Sequence, residues 1–208
     1  MSSKQFFNEV AGEWDAMRAN FYSERVREKA FDRAGVSAGQ LAADLGAGTG
    51  FVTEGLLRRG LSVVAVDQSE AMLAKMKTKF AAAADKIDYR KGEAEELPLA
   101  EGSVEHVFAN MYLHHVEDPA RAISEMARIL KPGGRLTITD VFEHSFEFLK
   151  TEHHDRWPGF RREALEEWLT AAGLREVFVD DLGEECRVRS EGGDETALMN
   201  IFVASGRK

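Results

Sequence analysis

From residue 41 onward, short apolar runs alternate with stretches of helical period. The runs are LAADL (41–45), LSVVAVD (61–67), IDYRK (87–91), VEHVFAN (104–110), RLTITDV (135–141), LREVFVD (174–180) and TALMNIFVAS (196–205). Helical patterns fit between them at about 51–60, 69–84, 118–130 and 161–172. This rhythm predicts a parallel, doubly wound α/β sheet. Pro132-Gly133-Gly134 predicts a helix end that turns into the next strand, and Gly173 fits the first position past another helix. A polar loop with Gly192-Gly193 and no helical period separates the last two runs, so an antiparallel pairing is allowed there.

Upstream, Phe6, Val10, Trp14, Met17 and Phe21 recur at spacings of three and four within 5–33, the stripe of one amphipathic helix or two short ones. Such a stripe either covers an active site as a lid or packs on the domain edge. The chain is therefore divided into an N-terminal helical lid segment, 1–40, and a main domain, 41–208, with a less patterned insertion at about 141–160.

The first run enters a glycine turn, Asp44-Leu45-Gly46-Ala47-Gly48-Thr49-Gly50-Phe51, just before a helical pattern. Glycines permit close backbone approach to a ligand, and a strand end beside a helix start builds a nucleotide-sized crevice. A dinucleotide fold wants a third small residue at the sixth position of this motif, where the chain has Phe51. That weakens an NAD(P)-dependent oxidoreductase reading. Asp67 ends the second run at the same sheet edge, where a carboxylate can accept hydrogen bonds from both ribose hydroxyls. Either Asp67 or Ser69 can also cap the helix that begins near Glu70. Glu93 and Ala94 follow the third run, and Asn110 and Met111 follow the fourth, so consecutive strand ends offer ligand groups.

The 208 residues suit one α/β domain. With 27 Lys plus Arg against 36 Asp plus Glu, the net charge of −9 disfavours nonspecific attraction to nucleic acid. The N-terminus lacks a signal-peptide pattern and no apolar stretch approaches a membrane span, which together predict a soluble, cytoplasmic protein. The single cysteine, Cys186, excludes an intrachain disulfide and any multi-thiolate metal site.

From about Leu41 to Asp140 the chain resembles the class I S-adenosylmethionine-dependent methyltransferases, especially the branch that includes the ubiquinone and menaquinone biosynthesis enzymes. DLGAGTG, VVAVDQSEAML, GEAEELP and NMYLHHVEDPARAISEMARILKPGGRLTITD carry the resemblance. It implies a Rossmann-like three-layer sandwich around a mostly parallel seven-stranded sheet with an antiparallel last strand. It implies S-adenosylmethionine as cofactor, with Gly46, Ala47, Gly48 and Gly50 along its methionyl and ribose portion and Asp44 near the amino group. Asp67 would hold the ribose, Gln68 would belong to the same cofactor-binding set, and Met72 would pack against adenine. Glu93 with Ala94 would read the adenine edge, and Asn110 with Met111 would line the sulfonium end. The family often carries Asp where this chain has Glu93, which allows a longer or water-mediated contact.

In-line methyl transfer from a sulfonium needs alignment and exclusion of water more than a base. His114 and His115 are the candidates if a base is used, and one of the pair can equally pack inward. Trp14, Tyr22, Tyr112 and His144 are candidate substrate contacts. Glu143, His144, His153, His154 and Asp155 form a second polar cluster, but no zinc-type spacing links them and no metal is expected. A small-molecule acceptor is expected, and one cysteine disfavours arsenite. A nonenzymatic S-adenosylmethionine-binding protein is the alternative from another class.

Overall fold

The computed structural model describes residues 3–208. In chain order the elements are α1 (Ser3–Val10), α2 (Trp14–Ala19), α3 (Arg25–Ala34), β1 (Leu41–Leu45), α4 (Phe51–Arg58), β2 (Ser62–Asp67) and α5 (Glu70–Lys79). There follow β3 (Ile87–Lys91), β4 (Val104–Asn110), α6 (Pro119–Ile129), β5 (Leu130–Val141), α7 (Phe148–Glu152), α8 (Arg162–Ala171), β6 (Arg175–Arg189) and β7 (Thr196–Arg207). The strands form one sheet in the order β3-β2-β1-β4-β5-β7-β6. Neighbours from β3 to β5 are parallel, and β7 runs antiparallel to both β5 and β6. The antiparallel ending follows from the Gly192-Gly193 loop, which is too short and polar to return the chain through a crossover helix.

The apolar runs are continuous because the sheet is buried on both faces. Alternation within each strand separates two cores. Ala43 and Leu45 of β1, Val64 and Val66 of β2, and Phe202 and Ala204 of β7 join Ile123, Met126 and Leu165 on one side. Ala42, Val63, Ala65, Ile201 and Val203 join Val26, Phe31, Leu56 and Met76 on the other. Three layers result, with α6 and α8 on one face and α3, α4 and α5 on the other.

Several boundaries are set by local chemistry. Asp118 accepts from Arg121 N at 3.0 Å and Pro119 opens α6, while Gly173, at φ +82°, follows α8 in the left-handed conformation. The helix expected through residue 84 breaks at Phe80 (φ −106°, ψ 26°), and a 3₁₀ turn, Ala81–Lys86, follows. Helix α6 ends at Ile129, ahead of the Pro-Gly-Gly sequence, because Leu130 already pairs with Val104.

The N-terminal 40 residues divide between two tasks. Helices α1 and α2 lie over the C-terminal edge of the sheet, whereas α3 is part of the layer, with Val26 and Phe31 fully buried. Arg27 is buried with them, and its guanidinium donates to Phe51 O (2.6 Å), Glu54 (2.9 Å) and Glu24 (2.9 Å), joining α3 to α4. Among the described residues no helix is long and apolar enough to cross a membrane.

Arg27→Ala strands two carboxylates and a carbonyl. It should lower unfolding free energy by about 2–4 kcal/mol, below the range for wholly buried pairs because Glu24 and Glu54 can rehydrate. Urea unfolding followed by circular dichroism checks this.

Candidate active site

Strand order reverses between β1 and β4, and the crevice outside their C-terminal ends is where a doubly wound sheet binds ligands. A cavity of about 670 Å³ lies there. Its floor is the glycine turn, with φ of +64°, +53° and +94° at Gly46, Gly48 and Gly50. A Cβ at Gly46 would enter the Tyr112 ring, and one at Gly50 would enter Phe80, so both positions are restricted by packing as well as by φ.

Asp67 clasps this turn. Its Oδ2 accepts from Gly48 N and its Oδ1 from Ser69 N, both at 2.8 Å. The helix cap belongs to Ser69, whose hydroxyl accepts from Met72 N at 3.1 Å. Each Asp67 oxygen therefore keeps a free lone pair, enough for a pair of vicinal hydroxyls. Burial raises the Asp67 pKa, and the two backbone donors oppose that rise.

Asp44 is buried, and its Oδ2 accepts from both Thr53 N (2.9 Å) and Thr53 Oγ1 (2.6 Å), tying β1 to the first turn of α4. Burial pushes its carboxyl up to about 7 against the pull of the Thr53 donors, with Asp67 adding to the rise. A cation entering the cavity would favour its ionised form. Asn110, at the end of β4, accepts from Thr139 Oγ1 (2.8 Å) and donates to the Tyr22 hydroxyl (3.1 Å). Next to it Met111 has φ +47°, unusual for a long side chain, fixed by its N–H to Thr139 O at 2.8 Å.

Asp44, Gly46, Ala47, Gly48, Asp67, Gln68, Met72, Asn110 and Met111 thus share one wall, as do Trp14, Tyr22, Tyr112 and His115. Three residues expected there lie outside it. Gly50 turns away to pack on Phe80, Glu93 is exposed in an isolated bridge with Glu96, and Ala94 is buried in the core below. Arg18 was not legible as a site residue. Its guanidinium lies 4.2 Å from the Phe51 ring centroid, lines the cavity, and leaves Nε buried without a partner among the described residues. The available signal was a lone cation on the Trp14–Phe21 stripe.

The N-terminal helices are pinned over this cavity. Ser69 Oγ donates to Asn8 Oδ1 and Thr49 Oγ1 donates to Asp15 Oδ1, each at 2.6 Å, and Lys79 pairs with Asp15 at 2.9 Å. Burial raises the Asp15 carboxyl, but Thr49 and Lys79 outweigh it and the net shift is downward.

A second cavity of about 540 Å³ adjoins the first through Phe7, Trp14, Tyr22, Met111 and His115. Phe21, Val141, Leu149, Val188 and Met199 make it apolar, and His114, His153 and Asp155 stand at one end. Segment 141–160 forms part of its wall. That segment closes on itself through a Phe142–Phe160 bridge, and Arg156 N and Trp157 N both donate to His114 O, at 3.0 and 3.2 Å. His144 lies in neither cavity but in a neighbouring hollow with Phe146 and Trp157. Cys186 is buried in the apolar wall, and burial lifts its thiol to about 12.

His114 packs inward, its Nδ1 2.6 Å from Asp140 Oδ1. Burial disfavours its charged ring, but Asp140 and Asp155 outweigh this and raise it to about 9. His115 shifts the other way, well below the ordinary value, through burial and the neighbouring His114.

Residues 43–138 match the methyltransferase domain family. That segment forms a methyltransferase domain similar to those of the class I S-adenosylmethionine-dependent methyltransferases. An uncharacterised methyltransferase of Mycobacterium tuberculosis is 42% identical over 130 residues, covering 62% of this chain and 49% of the relative. The demethylmenaquinone methyltransferase of Renibacterium salmoninarum is 33% identical over 148 residues, covering 70% and 61%. The chain thus spans about half the length of the first of these relatives. Among solved structures, a Haloferax volcanii putative methyltransferase complexed with the Trm112 activator superposes with TM-score 0.77 at 20% identity, over 99% of this chain and 97% of the other. The [4+2]-cyclase SpnF gives 0.75 at 18%, over 100% and 97%. Likeness at that identity establishes the fold, and the cyclase shows that this fold also serves other chemistry.

The S-adenosylmethionine cofactor of this class fits the cavity, on the glycine cradle and the two free Asp67 lone pairs. An acid whose pKa rises on folding destabilises the fold as it ionises. Folded stability should therefore decline as pH rises from about 4 to about 7 and level off above, and Asp44→Asn should remove part of the slope. Thermal melts across that range test it; an unchanged slope in Asp44→Asn rejects the raised pKa.

Proposed function

We propose that this chain transfers a methyl group from S-adenosylmethionine to a small, largely apolar acceptor seated in the second cavity. The observation that carries this reading is the shared wall, which places a polar, anion-lined donor pocket directly against an apolar one. A protein that only bound the nucleotide would not need the adjoining chamber.

When bound, the cofactor supplies a methyl carbon on a positively charged sulfur, already primed to leave. Asp67 holds the ribose hydroxyls, Asp44 faces the methionyl ammonium, and Arg18 offers its guanidinium to the methionyl carboxylate. The glycine turn keeps the backbone close to the ligand, and Met72 packs against the adenine ring. Asn110, braced by Thr139 and Tyr22, fixes Met111 at the junction of the two cavities. The acceptor packs against Leu149 and Val188, with its nucleophile directed toward His114 and His115.

Helices α1 and α2 act as a lid. Phe7 and Trp14 contact both cavities, and the Asn8–Ser69 and Asp15–Thr49 bonds hold them closed over the turn. Closure excludes water, which would otherwise compete for the methyl group and weaken the electrostatic alignment.

Asp67→Ala should weaken S-adenosylmethionine binding by about 1.5–3 kcal/mol, the scale of hydrogen bonds made by a charged group. Calorimetry on the folded variant measures it, and wild-type affinity would remove the ribose role. Arg18→Ala should weaken binding by a similar amount through loss of a partner for the carboxylate. The activity itself is tested by incubating the protein with methyl-labelled cofactor and pools of apolar hydroxyl, amine and thiol compounds. Formation of S-adenosylhomocysteine with a labelled product supports transfer, and tight binding with no turnover across all pools supports a binding protein instead.

A further inference from the structure

Three potential ligand atoms converge at the polar end of the second cavity, and none of them is explained by binding of the nucleotide. They are one imidazole nitrogen each of His114 and His115 and one carboxylate oxygen of Asp155, all within 4.8 Å of one another. Asp155 Oδ1 lies 3.7 Å from His114 Nε2 and 3.8 Å from His115 Nδ1. Ligands about 2.0–2.2 Å from a tetrahedral ion sit roughly 3.3–3.6 Å from each other, so small side-chain rotations would close the set. The three side chains are only 11%, 9% and 12% exposed.

We propose that His114, His115 and Asp155 bind a divalent first-row transition-metal ion. Two observations besides proximity point to a ligand. His115 Nδ1 is buried with no hydrogen-bond partner among the described residues, a costly state for a polar atom unless something occupies the space before it. His114 is oriented as metal-binding imidazoles are: its far nitrogen, Nδ1, is held 2.6 Å from Asp140, which itself accepts from Val141 N at 2.8 Å. That bond leaves Nε2 on the side of Asp155, 3.7 Å from its Oδ1. The two halves of the site are also locked together by Arg156 N and Trp157 N, which donate to His114 O, and by the Trp157 indole Nε1, which donates to Val116 O at 2.9 Å.

Two imidazoles and one carboxylate suit zinc, iron, cobalt or nickel better than magnesium or calcium, which prefer oxygen-rich cages. Three protein ligands leave at least one coordination position open, and here it faces the apolar cavity where His115 meets the cofactor pocket. An acceptor hydroxyl binding there would lose its proton to solvent, and the resulting metal-held oxygen would form the bond to the methyl carbon as the carbon–sulfur bond breaks. This catalytic use rests on the methyl-transfer reading; the metal site itself does not.

The test is a titration of chelator-treated full-length protein with Zn(II) by calorimetry, without cofactor, alongside Co(II) followed by its visible absorption. One equivalent should bind, with a cobalt spectrum indicating nitrogen and oxygen ligands. Affinity should fall by at least about tenfold in His115→Ala and in Asp155→Asn. It should stay at the wild-type value in His106→Gln, a change on β4 beside Gln40 at the opposite end of the strand. Circular dichroism verifies that each variant is folded, and Asp155, on a loop, is the change least able to unfold the chain. Absence of stoichiometric uptake, or uptake unchanged in both ligand variants, would overturn the site. Titrating S-adenosylmethionine into the same samples separates the two readings. Cofactor binding without metal uptake defeats this inference alone, and metal uptake without cofactor binding defeats the methyl-transfer reading alone.

Discussion

Burial of the central sheet on both faces constrains all the chemistry in this molecule. Strands β1, β2 and β4 send alternate side chains into two apolar cores, so their flanks carry no polar ligand group. Polar side chains can emerge only where a strand ends. Asp44, Asp67 and Asn110 stand at or near three such ends, and the reversal of strand order between β1 and β4 opens the space into which they point. The clasp of Asp67 on Gly48 N then fixes the glycine turn against the end of β2.

The two cavities differ in how they manage charge. The donor pocket buries Asp44 and Asp67 with few donors around them, which leaves them in need of a cation and of hydroxyl groups. Arg18, stacked on Phe51, supplies positive charge at the other wall. The second cavity is apolar except at one end, where Asp140 and Asp155 flank His114 and the Nδ1 of His115 has no hydrogen bond among the described residues. A neutral apolar ligand would enter such a cavity at little desolvation cost, with its polar end toward these groups.

Segment 141–160 shows how a loop becomes part of a site. Gly159, at φ +74°, sits where a Cβ would meet the Phe142 carbonyl, and the Phe142–Phe160 bridge closes the base of the loop. Its far side is stitched to the turn at Leu113–His115 by the Arg156 and Trp157 backbone bonds to His114 O. Asp155 therefore reaches its position through hydrogen bonding between two irregular segments.

The amino-acid sequence by itself determined the elements and the cofactor edge. Alternation within LSVVAVD, the glycine turn after LAADL and the missing helix between the last two strands are local patterns, and each is enforced by neighbours a few residues away. Asp67 was placed at the cavity edge for the same reason, because a strand end fixes where its final side chain points, while the glycine turn followed from the strand-to-helix junction and Asp44 from the resemblance. Glu93 followed the same logic and lies exposed outside the cavity wall, since the chain turns into an isolated bridge before reaching the edge. Only the tertiary structure decided the rest. Arg18 enters the site by helix packing, and the grouping of His114 with Asp140 and Asp155 joins residues 26 and 41 positions apart. Spacing along the chain gave no sign of a metal set there, because contacts between a strand end, a turn and a loop depend on how the backbone folds back, not on any repeat in the residues themselves.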